Sequence, residues 1–163
     1  MTQVVPEAEI AFAIAQHCPS ADRKAIRALI ERFRISSADL EACADRVLTK
    51  PYGRNIIVML GATYGISLVR MSPGQSTSRH FHRARSEVFV VRRGALSFYE
   101  GEAVTVLSSG GIAGSVPGEP HRLANEGADE LEFIELFVPG DLNDKVRVND
   151  RYGRALGPVS HQE

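Results

Sequence analysis

Tryptophan is absent from this chain of 163 residues, cysteine occurs only twice, and neither sign of charge is in excess. Each shortage removes a class of protein. Two cysteines, Cys18 and Cys43, with no Cys-x-x-Cys spacing cannot staple a small secreted scaffold. Both fall on helical patterns and are expected to be buried, reduced thiols. Lys+Arg 19 against Asp+Glu 20 leaves a formal charge of -1, which offers no global basic footprint to a nucleic-acid partner. Apolar runs such as residues 10–15 fall far below the ~18 residues that cross a bilayer. The opening MTQVVPEAE has no basic n-region and no signal-peptide core, so the expectation is a cytoplasmic protein without membrane contact. The remaining composition, 44% apolar and 24% charged, is that of an ordinary globular domain and excludes wholesale disorder.

The texture of the chain changes at Lys50-Pro51-Tyr52-Gly53. Before it, glycine is scarce and apolar residues recur at helical spacing. Ile26, Leu29, Ile30 and Phe33 make one stripe on a helix predicted over 21–34, with Ser20 as N-cap and Asp22 in the positive first turn. An earlier helix is predicted over 7–17, with Pro6 suited to its first turn. A third starts after Ser36 or Ser37, with Leu40, Cys43, Ala44 and Val47 on its apolar face. Residues 1–49 thus read as a helical extension and 50–163 as a separate domain. Basic and acidic side chains balance through Lys50, a poor composition for gripping DNA phosphates, so packing or dimerisation is the expected use of the stripe.

Beyond residue 53 the chain reads as short strands: NIIVML, GISLVRM, SEVFVVRR, ALSFYE, AVTVL, ELEFIELFV and KVRV. Gly61, Pro73-Gly74, Gly94, Gly101, Gly110-Gly111, Pro117-Gly118, Gly127 and Pro139-Gly140 punctuate them. Such spacing predicts an all-β sandwich or barrel.

Among the histidines, His80, His82 and His121 stand in this β-rich part, while His17 and His161 lie outside it. His80 and His82 are one residue apart in an extended segment, which puts both rings on one face. Glu87 follows across a turn, and His121 comes after Pro117-Gly118-Glu119-Pro120. Three neutral nitrogens and one anionic oxygen suit one divalent transition metal: Fe, Mn, Ni, Co or Zn. A six-coordinate ion would keep positions open for a small-molecule substrate.

The spacing resembles the first motif of the cupin superfamily at every defined position: Gly74, five residues, His80-Phe81-His82, four residues, Glu87, six residues, Gly94. Gly110, Gly118, His121 and Asn125 match the second motif, with Val116 where a proline is usual and Pro117 one place later. The resemblance spans roughly 54–150. It implies a double-stranded β-helix, the cupin jelly roll, holding the metal through His80, His82, Glu87 and His121. It also implies a homodimer.

A narrower resemblance runs over 50–154. Lys50-Pro51-Tyr52-Gly53, Arg85-Ser86-Glu87, Pro120-His121-Arg122-Leu123-Ala124-Asn125 and Asn149-Asp150-Arg151-Tyr152-Gly153-Arg154 are similar to the cupin domain of type II mannose-6-phosphate isomerases. That family usually has Gln in place of His80, a His-rich stretch in place of Arg83-Ala84, and lysines on the strand that here carries Gly65 and Ser67. The nucleotidyltransferase domain often fused upstream of such cupins has no counterpart in these residues. The resemblance implies an aldose–ketose isomerase of phosphorylated sugars. Arg85 and Arg154 are its candidate catalytic, phosphate-holding residues, followed by Arg54 and Lys50. No residue stands out as the proton-transfer base: Glu100, Glu102 and Glu135 lie among strands whose parity does not fix their direction. The same ligands suit an Fe(II) dioxygenase, and a non-catalytic sugar- or effector-binding cupin is the third reading.

Overall fold

The structure, a computed structural model, describes residues 37–159. The helices predicted over 7–17 and 21–34, with Cys18, His17 and the Ile26/Leu29/Ile30/Phe33 stripe, lie outside the described residues, as does His161.

The chain enters through a short helix α1 (Ser37–Ala42) and continues as twelve strands. These are β1 (Arg46–Lys50), β2 (Gly53–Leu60), β3 (Gly65–Met71), β4 (Arg79–Phe81), β5 (Ser86–Arg93), β6 (Ala95–Glu100), β7 (Ala103–Ser108), β8 (Ile112–Ser115), β9 (His121–Ala124), β10 (Leu131–Val138), β11 (Lys145–Asn149) and β12 (Gly157–Val159). Every strand read from the sequence is present. The unread ones, β1, β4, β8, β9 and β12, are short and mix polar residues or glycine with few apolar ones, so they carry little periodic signal.

The third predicted helix ends early. It stops at Ala42, and Val47 belongs to β1, where it is 53% exposed. Pairing with β2, from Arg46↔Ile57 to Lys50↔Gly53, overrides the helical spacing of Leu40, Cys43, Ala44 and Val47. Cys43 is correspondingly an exposed free thiol, not the buried one expected.

Two antiparallel six-stranded sheets face each other, in the order β1-β2-β3-β10-β5-β8 (sheet A) and β12-β11-β4-β9-β6-β7 (sheet B). Between them lies the interior core, with Val69, Phe89, Val91, Leu96, Phe98 and Phe133 among its members. Phe89 sits at its centre, with ring centroids 5.7 Å from Phe98 and 6.0 Å from Phe133. Burying each such side chain contributes about 1.5–3 kcal/mol. A second apolar cluster covers the other face of sheet A: Ile56, Ile66, Leu68, Val88, Val90, Ile134 and Leu136, joined by Leu40 of α1. Arg70 anchors α1 by donating to both carboxylate oxygens of Glu41, at 3.1 and 2.8 Å, and to Glu132 at 3.0 Å. No helix among the described residues is long and apolar enough to cross a membrane.

Candidate metal centre

Alternation along β4 turns His80 inward and Phe81 outward, and His82 follows on the inner side; all three fall where the extended geometry predicts. On β9 the same alternation turns His121 inward, and His121 is the backbone partner of His80. Glu87 comes from the opposite sheet, near the start of β5. The four side chains are buried, and their ligand atoms all lie within 4.8 Å of one another. Atoms bound to one ion at about 2.1 Å are at most about 4.2 Å apart, so a small contraction suffices to close them on a cation.

The hydrogen bonds around the rings show whether a metal fits. Each imidazole spends Nδ1 on a backbone carbonyl: His80 on Ser78 at 2.7 Å, His121 on Glu119 at 3.0 Å, and His82 on Asp144. With Nδ1–H donating, each Nε2 carries the free lone pair. The Nε2 atoms of His82 and His121 are buried with no hydrogen-bond partner among the described residues, although Glu87 oxygens lie 3.1 and 3.0 Å away. Burial, with help from Lys145, pulls the His80 imidazole well below its usual pKa and keeps it neutral. Burial pushes the Glu87 carboxyl upward, but the Arg85 guanidinium outweighs it and holds the group well below the ordinary carboxylate range. Three imidazole nitrogens and one carboxylate therefore converge, a donor set that fits a divalent transition metal.

Arg85 reaches the same centre, but not as an open cation. Its guanidinium donates to Glu87 Oε1 at 2.6 Å and to Glu135, and it stacks 3.9 Å over the Phe137 ring. Gly65 and Ser67, which face Phe137 and Glu135 across the β3–β10 pair, explain the fit. A Cβ at Gly65 would lie 2.1 Å from the Phe137 ring, and Ser67 donates to Glu135 at 2.9 Å. The two positions where this chain departs from the lysines usual in the family it resembles thus make room for, and hydrogen-bond to, the platform under Arg85. Burial raises the pKa of Glu135, with Arg85 opposing it.

Asp144 was missed in the sequence, where nothing in the loop before KVRV marks it. Its carboxylate accepts the backbone N–H groups of Arg83, Ala84 and Arg85, at 2.9, 2.8 and 2.8 Å, and so fixes the turn between His82 and Glu87. Asn125, the matched residue of the second motif, is a brace: its amide donates to the carbonyls of Met71 and Asp129. The shifted proline leaves the ligand turn intact, and Gly118, with φ +84°, donates its N–H to the His82 carbonyl at 2.7 Å.

A cavity of about 300 Å3 opens beside His80 and Glu87, and Lys50, Lys145, Arg147 and Arg154 also line it. Burial lowers the Lys50 pKa, and the charges of Arg154 and Arg147 lower it further. Burial takes Lys145 down to about 8, with Arg85 adding to the effect against Glu87. Arg154 is held by Asp150, whose carboxyl the hydrogen bond from Arg154 lowers to about 2. The buried Nε of Arg147 has no hydrogen-bond partner among the described residues. Of the other candidates, Arg54 is exposed and does not line the cavity, and Glu100 and Glu102 are exposed. Lys145 and Arg147 were overlooked, yet the period of two in KVRV already puts them on one face.

Residues 67–138 match the family model described as a cupin domain. The chain is 31% identical over 121 residues to "Xanthan biosynthesis protein XanB" of Xanthomonas campestris pv. campestris, covering 73% of this chain and 26% of that protein. It thus spans about a quarter of that relative's length. Among solved structures, a conserved protein with a double-stranded beta-helix domain from Klebsiella pneumoniae superposes with a TM-score of 0.57 at 21% identity, over 72% of this chain and 98% of that one. A sugar phosphate isomerase from a cupin superfamily, from Silicibacter pomeroyi, gives a TM-score of 0.50 at 18% identity, over 66% and 80%. The paired sheets, the motif glycines and the inward His, His, Glu and His agree with these matches: the chain belongs to the cupin superfamily.

Proposed function

We propose that this protein binds one divalent transition metal through His80, His82, Glu87 and His121 and interconverts an aldose phosphate and its ketose. The observation that carries the reading is the crowding of cations in the cavity beside the ligands. Burial and the charges of Arg154 and Arg147 lower the proton affinity of Lys50, burial and Arg154 lower that of Arg147, and Asp150 lies 2.5 Å from Arg154 and 4.0 Å from Arg147. Like charges held together in a partly dry cavity stabilise an anion strongly, and a phosphate answers that field. The solved cupin described as a sugar phosphate isomerase supports the same class.

A bound divalent metal supplies Lewis acidity to a substrate carbonyl and its neighbouring hydroxyl. The protein's own groups do the rest. Lys50, Arg147 and Arg154 hold the phosphate at the cavity wall. Lys145 Nζ, with a pKa of about 8, is neutral in a useful fraction near neutral pH. It takes the proton from C2 of the aldose and returns it to C1, while the hydroxyl proton passes from O2 to O1. Arg85 keeps Glu87 charged and oriented, and Asp144 holds His82 and the turn.

The test is NMR of mannose-6-phosphate and fructose-6-phosphate with protein loaded with Mn, Co, Ni, Zn or Fe(II). Interconversion is expected, lost in His82→Ala together with the bound metal, and reduced about 10²- to 10⁴-fold in kcat by Lys145→Met. Arg154→Ala should raise KM for phosphorylated sugars more than for neutral ones. No interconversion, with oxygen uptake by the Fe(II) form, would move the assignment to a dioxygenase, which the three-His, one-Glu ligand set also suits.

A further inference from the structure

The strands that turn imidazoles inward turn arginines outward. Arg79 precedes His80 on β4 and Arg122 follows His121 on β9, so both guanidinium groups leave the barrel on the outer face of sheet B. Tyr99, on neighbouring β6, pairs with Arg122 and faces the same way, opposite to buried Phe98. On the other side a bulge between Arg147 and Asn149 reverses the facing of β11: Arg147 lines the barrel cavity and Asn149 the outer face. Arg151 follows and closes the group. Together these residues line a second cavity of about 260 Å3.

Its electrostatics are unusual for an exposed sheet face. None of Arg79, Arg122 and Arg151 forms an ion pair with a carboxylate among the described residues. The neighbouring Asp150 turns away to Arg154. Arg122 lies 4.0 Å over the Tyr99 ring, and Arg151 donates to the Gly74 carbonyl at 3.2 Å and the Ser76 hydroxyl at 3.5 Å. Stacking and backbone contacts orient these two cations without neutralising them. Glu126, whose carboxylate feels the charge of Arg122, accepts the Tyr99 hydroxyl and a 2.9 Å hydrogen bond from Ser97. The floor is rigid and polar: Ser76, Thr77 and Ser78 are buried, and the Thr77 hydroxyl is locked between the Ser78 carbonyl and the Leu123 N–H at 3.0 Å each.

We propose that this outer groove is a binding site for a small, multiply charged phosphate-class anion, separate from the barrel cavity. Three guanidinium forks around one cavity, with no carboxylate in its lining, match the charge and the planar oxygen edges of a pyrophosphate or phosphate ester. Thr77 and Ser78 line both cavities, and the Ser78 carbonyl holds His80 Nδ1, so the groove adjoins the metal centre without sharing its cations.

The test is calorimetric titration of the full chain, dialysed free of metal, with inorganic pyrophosphate at low and moderate salt. Saturable binding that weakens with salt is expected. The double variant Arg79→Gln/Arg122→Gln should weaken it about a hundredfold, whereas Lys50→Ala should leave it within about twofold. Because a glutamine pair could perturb the sheet, Arg79→Lys/Arg122→Lys is titrated beside it and should retain part of the affinity, with both doubles unfolding at the wild-type temperature. Absence of saturable binding, equal affinity in the glutamine double variant, or loss of binding in Lys50→Ala would each overturn the proposal. None of these outcomes depends on isomerase activity.

Discussion

Sheet A is buried on both faces at its centre, whereas sheet B has one face in the barrel and one in water. In sheet A, β3, β5 and β10 are covered along almost their whole length, and Leu68, Phe89 and Phe137 are fully buried on them. In sheet B, β9 and β6 each set a half-buried polar side chain beside a buried one, as Arg122 does beside His121. The edge strand β7 is exposed along most of its length, with Val106 65% accessible. The wet sheet carries nitrogen-bearing side chains on two faces: imidazoles within and arginines without. The dry sheet contributes the carboxylates Glu87 and Glu135, and their charge is tolerable there because Arg85 reaches into the barrel between them.

The largest effect should come from removing that cation. Arg85→Ala strands two carboxylates in a dry wall and should cost about 3–5 kcal/mol in denaturant unfolding, with weaker metal retention. If the change is near neutral, the carboxylates are solvated and the contrast between the sheets is overdrawn. Next, Leu68→Ala empties a site on the outer face of sheet A and should cost about 2–5 kcal/mol; a cost like that of a surface site would mean the face is wet.

A smaller effect belongs to Asp150 at the margin of sheet B. Its carboxyl sits at about 2, against an ordinary 3.8, because Arg154 and backbone N–H groups bind its charged form. That stabilisation is complete above about pH 4 and disappears as pH falls through the folded value near 2. Asp150→Asn should therefore lower the unfolding midpoint at pH 7 and flatten its decline between pH 4 and 2; a parallel decline in both proteins would deny the pair any role. The smallest change is expected at Val106→Ser on β7, within about 0.5 kcal/mol. A larger loss would show that β7 is covered in solution, for instance by a second copy.

The same contrast explains what could be read in advance. Where one face is wet, side chains alternate, and Arg79-His80 and His121-Arg122 announce their own directions. Where both faces are dry, SEVFVV and ELEFIELF read as near-continuous apolar runs, so nothing in the pattern told whether Glu135 points in or out. Arg85 was legible as a neighbour of Glu87, but its engagement by Glu135 and Phe137 was not, because those partners lie some fifty residues away. The early end of α1 was hidden for a related reason: a helical spacing through Val47 competes with pairing to β2, which only the folded sheet supplies.

By itself, then, the sequence determined the candidate ligand types and the shared facing of His80 and His82. A period of two, a turn glycine and a His-x-His pair are local geometry, satisfied by any extended chain that bends where the glycines allow. Only the tertiary structure decided which cations share the cavity, that Gly65 and Ser67 serve the Arg85 platform, and that Asp144 clamps the ligand turn. Those outcomes depend on strands distant in sequence meeting across two sheets, where packing and the cost of burying charge select the partners.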